Sequence, residues 1–175
     1  MDRQHLANLS PPDAAVALRS YVRRFGSLLR PSDLTGDVPL GVAVLRGWSV
    51  HGLLRAADGY LAGLETAMRR GLDEAGPVLG TTTLERPEPS AVGAEVAGPS
   101  TESPGVAALL DAVTAAFGRS ADRVARTPTK DWDRPLTIGT RPTTVHEILR
   151  ELVAYGRTAL DELTAVIEAA RLASA

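Results

Sequence analysis

The chain has 175 residues, 44% of them hydrophobic, a length and composition that suit one domain, 1–175, built on a single sizeable core. Its formal charge of −2, with both signs interspersed, offers no basic face to a run of phosphates, which disfavours nucleic acid as a partner. Cysteine is absent, which excludes disulfides, thiolate nucleophiles and Cys-ligated metal sites.

No apolar run approaches the roughly 20 residues that cross a bilayer, and "MDRQHLANLSPPD" lacks the apolar stretch of a secretory signal. The expectation is a cytoplasmic protein with no membrane association. Of the 19 basic residues only Lys130 is a lysine, and with abundant Ala, Leu and Gly this usage suggests a GC-rich bacterial genome.

In chain order, Ser10 before Pro11 and Pro12 is a helix-start signal, because Ser caps orphan amides and Pro tolerates the first turn. Leu18, Val22, Phe25 and Leu29 continue at helical spacing, which predicts a first helix to about Leu29, stopped by Pro31. After a Gly/Pro-containing segment at 31–47, Ser49 is placed to cap a second helix. Its stripe runs through Leu53, Ala56 or Ala57, Tyr60, Leu64, Met68 and Leu72, and Gly76 and Pro77 end it. Residues 76–105 are dense in Pro, Gly, Ser and Thr without a sustained period, and read as a long crossover or mobile loop.

Ser103 and Pro104 restart a helix whose stripe of Val106, Leu110, Val113, Phe117 and Val124 reaches about Arg126. "DWDRPLTIGTRPTT" alternates briefly around Leu136 to Ile138 with Gly139 as a turn, too short to support a sheet and read as a small hairpin or extended cover. Thr144 and Glu147 form a capping-box pattern that opens a fourth helix at about 145–172. Four helices with one apolar face each bury those faces by bundling, so the expected fold is an all-α four-helix bundle with a long crossover between helices 2 and 3. A repeated phrase, "VHGLLRAADGY" at 50–60 and "VHEILRELVAY" at 145–155, suggests similar roles for helices 2 and 4 and a pseudo-two-fold pair of helical hairpins.

No phosphate-cradling Gly-rich loop, dinucleotide fingerprint, His-Glu-x-x-His or Gly-x-Ser-x-Gly elbow is present. "GWSVHGLLRAADGYLAGLE" and "DWDRPLTIGTRPTTVHEILRELVAYGRTALDEL" do resemble the DinB-like superfamily, especially its mycothiol-dependent maleylpyruvate isomerase branch. The resemblance implies a divalent metal held by three histidines, one on helix 2 and two a turn apart on helix 4. Carried over, those positions fall on Ala56, Tyr155 and Ala159, none of them a histidine. A methyl group cannot ligate and a neutral phenol is a poor ligand for zinc or nickel, so no metal and no other cofactor is expected.

Replacing two imidazoles by methyl groups removes volume from the bundle's centre. The pocket expected there is apolar, lined by Ala56, Tyr60, Tyr155 and Ala159 and roofed by Trp48 or Trp132, and suits a small, flat hydrophobic molecule. Tyr155 reads either as a core ring with a satisfied hydroxyl or as a pocket donor and general acid. Asp58 is a second catalytic candidate at the pocket edge, against the simpler reading of a solvated carboxylate. His51 and His146 open their helices as hydrogen-bonded or solvent-facing residues, or else as a bridging proton-transfer or metal pair, while His5 falls in the N-terminal stretch. Arg150, Glu151 and Arg157 read as an exposed, charge-paired face.

Three functions follow as expectations. The first is a metal-independent protein that binds, and in one version transforms, a hydrophobic metabolite, in a setting of specialised metabolism. The second, implied by the resemblance, is a thiol-dependent isomerase or S-transferase. The third is a non-catalytic interaction or oligomerisation module; a homodimer stays open.

Overall fold

The computed structural model describes residues 8–174 except 35–37, 39, 43, 81–83 and 85–103. Four helices carry the fold: α1 Pro11–Gly26, α2 Val50–Asp73, α3 Val106–Arg126 and α4 Val145–Leu172. Three begin on side-chain caps. Ser10 accepts from the Asp13 amide, Ser49 from the Gly52 amide, and Thr144 and Glu147 form the reciprocal capping box. The α3 start is capped by Gly105 with no side-chain bond. α1 stops at Gly26, short of Leu29, because Ser27 and Leu28 turn their amides back to the Arg24 and Phe25 carbonyls in a tighter i to i−3 pattern.

Each helix packs on two neighbours, in the order α1, α3, α2, α4 around the bundle, so the sequential pairs α1/α2 and α3/α4 sit on the diagonals. Side-chain pairings give the directions. Gly71 near the end of α2 meets Val145 at the start of α4, while Tyr60 meets Tyr155, so α2 and α4 run antiparallel. His146 in the first turn of α4 bonds to the Leu9 carbonyl just before α1, and Arg171 in its last turn donates to the Leu28 carbonyl just after α1, which makes α1 and α4 parallel. His51 to Pro104 and Glu65 to Arg119 make α2 and α3 parallel in the same way. Two adjacent parallel helices need a connection that returns along their whole length, roughly 30 Å at 1.5 Å per residue; the chain between them is residues 74–105, and most of the long loop expected there, 81–83 and 85–103, lies outside the described residues.

The expectation of no sheet is corrected. Pro135–Ile138 and Arg141–Thr144 (β2 and β3) form an antiparallel hairpin, and Val78–Leu79 (β1) adds to β2 in parallel, giving a small three-stranded sheet in the order β1-β2-β3. Its partner strand comes from the head of the crossover, too far along the chain for local alternation to reveal it. The sheet caps the end of the bundle where α2 finishes and α4 begins, and Arg134 reinforces it through its guanidinium on the Leu72 and Glu74 carbonyls.

The core is continuous through all four helices. Phe25 and Phe117 stack at 5.1 Å and Tyr21 tilts onto Phe117 at 5.4 Å, joining α1 to α3. α4 approaches this aromatic group through Gly156, which leaves no room for a Cβ beside the Tyr21 ring. The Tyr21 hydroxyl donates to the Val153 carbonyl of α4 at 3.0 Å, and burial raises its pKa above the ordinary tyrosine value. Among the described residues no helix is long and apolar enough to cross a membrane.

Candidate functional site at the α2–α4 seam

The tyrosines of the two repeated phrases meet. Tyr60 and Tyr155 lie with ring centroids 4.5 Å apart, tilted by 54°, and each is only 6% exposed. The Tyr60 hydroxyl donates to Oε1 of Glu151 at 2.9 Å in a partly buried setting. Glu151, Tyr155 and Ala159 follow one another at four-residue spacing, and so form one strip along α4. By the antiparallel register that pairs Tyr60 with Tyr155, Ala56, four residues before Tyr60, stands at the level of Ala159, four residues after Tyr155. The seam therefore grades from a carboxylate through two aromatic rings to two methyl groups, over about 12 Å of helix. Ala56 is buried yet stands apart from the contiguous apolar core.

The structure does not bring every expected residue here. Trp48 and Trp132 sit at opposite ends of the bundle and cannot roof one pocket together. Trp48 is half-buried just before the α2 cap, where a tight turn through Arg46 and Gly47, both at positive φ, pairs Leu45 with Trp48. Trp132 is 2% exposed and its carbonyl accepts from the His146 amide in the first turn of α4, about 13 Å along that helix from Tyr155. Its indole N–H has no hydrogen-bond partner among the described residues. Asp58 lies about 200° around α2 from Ala56, and its charge acts across on Arg119 of α3. It belongs to the α2–α3 side.

Glu151 is the residue that the exposed-face reading missed: it is half-buried and bonded across the seam. Its position one turn before Tyr155, on the same strip, was the available signal. Arg150 is half-buried too, with Nε buried and unbonded among the described residues, whereas Arg157 is exposed and 3.9 Å from Asp161, an ordinary helix pair. His51 and His146 do not form a pair. Nε2 of His51 bonds to the Pro104 carbonyl at 3.1 Å and Nε2 of His146 to the Leu9 carbonyl at 2.8 Å; since a carbonyl only accepts, each Nε2 carries the proton. His5 lies outside the described residues.

No family model matches the chain, and neither does any curated protein. Among solved structures it is similar to YfiT from Bacillus subtilis, a probable metal-dependent hydrolase with an unusual four-helix bundle topology. The likeness has a TM-score of 0.68, covers 95% of this chain and 87% of that one, and comes with 11% sequence identity. The chain shares the four-helix bundle fold of that structure. At that identity the likeness speaks for the fold alone.

The three positions to which the resemblance assigns metal ligands do not fit a metal. Ala56 and Ala159 offer methyl groups, and the Tyr155 phenol lies against another ring. Among the described residues no three His, Cys, Asp or Glu side chains gather into a metal-binding group. What the seam offers instead is aromatic surface, a carboxylate–phenol hydrogen bond and a patch of methyl groups.

Proposed function

We propose that the protein is a DinB-like bundle that works without the three-histidine metal site and binds a small hydrophobic molecule at the α2–α4 seam. The observation that carries this reading is the Tyr60–Glu151 hydrogen bond beside the buried Tyr155, Ala56 and Ala159, the three positions that the resemblance would give to metal ligands. A flat apolar ligand would take the place of one ring of the Tyr60–Tyr155 pair, with the phenols as hydrogen-bond donors for a carbonyl.

An environment-sensitive apolar dye, titrated into wild type, Ala56→Leu and Ala159→Leu, tests the reading. Saturable binding that both substitutions weaken is expected. Binding that survives both, or none in wild type, overturns it, as would a stoichiometric, tightly held metal in elemental analysis.

A second reading, an interaction module with a filled interior, is favoured by the close Tyr60–Tyr155 packing. It predicts no dye binding together with self-association in sedimentation. The thiol-dependent enzyme reading predicts thiol-dependent turnover that Tyr155→Phe abolishes while ligand affinity stays.

A further inference from the structure

The parallel helices α2 and α3 end side by side, and there a cleft of about 470 Å3 opens between them and the 127–131 turn. That is within the size range of small-molecule sites. It lies about 18 Å along α2 from Tyr60 and is separate from the seam. Leu72 and Pro128 give it an apolar part, while Arg123, Asp73 and Asp131 give it charges of both signs.

Arg119, Arg126 and Asp122 of the cleft are matched. Arg119 bonds to Glu65 through two nitrogens at 3.3 and 2.8 Å, and Arg126 stands 3.9 Å from Asp122. Arg123 and Asp131 differ. Both are half-buried and line the same space, yet among the described residues neither side chain forms an ion pair or hydrogen bond, with the other or with a third group. Two opposite charges, partly withdrawn from water and lining one cleft without pairing, are complementary to a molecule that carries both a cation and an anion. A guanidinium takes a carboxylate through two parallel N–H bonds, and a carboxylate takes an ammonium as a point charge.

We propose that this cleft binds a short zwitterionic peptide, with its terminal carboxylate on Arg123, its terminal ammonium on Asp131 with Asp73 at the rim, and its side chains on Leu72 and Pro128. The assignment stands independently of the seam.

Calorimetric titration of the full chain with leucyl-leucine, N-acetyl-leucyl-leucine and leucyl-leucinamide tests it. The free dipeptide should bind saturably, with each blocked form at least about tenfold weaker. Arg123→Ala should lose the preference for a free carboxylate and Asp131→Asn that for a free amine, with Arg123→Lys keeping part of the first. The comparison among the three peptides needs no variant, so it stands even if one fails to fold. Equal binding of free and blocked peptides, or no saturable binding by any of them, overturns the proposal.

Discussion

His51 and His146 make equivalent bonds at opposite ends of the bundle. Each uses Nε2 to hold the carbonyl two residues before the neighbouring parallel helix, Pro104 before α3 and Leu9 before α1. The repeated phrase thus encodes one local device twice, and the two copies of its tyrosine meet between α2 and α4.

Removing either latch should loosen the helix entry that it holds. In His146→Ala the Ala14 amide, bonded to the Ser10 carbonyl, should exchange faster while the Leu109 amide, bonded to Gly105, keeps its rate. His51→Ala should show the reverse. Each loss should cost about 1 kcal/mol by urea titration; exchange that rises equally at both sites in either variant would contradict two independent latches.

Two glycines should respond to alanine with opposite signs. A Cβ at Gly156 would lie 2.7 Å from the Tyr21 ring and 2.9 Å from Phe117, in a group with nowhere to move. Overpacking of this kind costs about 1–3 kcal/mol. At Gly59, inside α2, nothing lies within 4 Å, so alanine should add about 0.5–1 kcal/mol through reduced backbone freedom in the unfolded chain. Thermal melts of the two variants decide both.

The Asp33 carboxylate, 4% exposed, takes the Arg171 guanidinium at 3.1 and 2.5 Å and the Arg30 amide at 2.7 Å. These contacts, Arg171 foremost, hold its pKa below the ordinary 3.8. The unfolded chain therefore binds this proton more readily than the folded one. The contribution to stability is complete above the ordinary aspartate value and is lost as pH falls below it through the folded value. Asp33→Asn should be destabilised at neutral pH, and its deficit relative to wild type should shrink as pH drops below about 4 in urea titrations at stepped pH. A deficit that stays constant with pH would argue against the ion pair.

Tyr60→Phe removes the donor to Glu151 and should cost about 1.5–3 kcal/mol, the range for a hydrogen bond to a charged acceptor. A variant as stable as wild type in urea would show that the bond contributes nothing.

Local chemistry made α4 legible from residue types alone: Thr144 and Glu147 fix its start and its apolar stripe runs to Ala170. The same holds for the Ser49 cap of α2. What residue spacing could not give was anything set by partners distant in sequence. β1 exists because Thr137 and Ile138 lie beside it, and which end of the bundle each tryptophan occupies follows only from the antiparallel run of α2 and α4. Glu151 was misread for the same reason: beside Arg150 and Arg157 it looks like an exposed helix charge, and only the approach of Tyr60 from α2 turns it inward.

The diagonal placement of sequential helices has a consequence for how the chain folds. In an up-and-down bundle each helix first docks on the one just made, whereas here, among the described residues, α1 packs mainly on α3 and α4, and α4 mainly on α2 and α1. Contacts of such long sequence separation require large loops to close before they give any stabilisation. Refolding should accordingly be slower than for a simple hairpin-built bundle of similar size, with α4, the fourth of the bundle's helices in chain order, completing the core around α1.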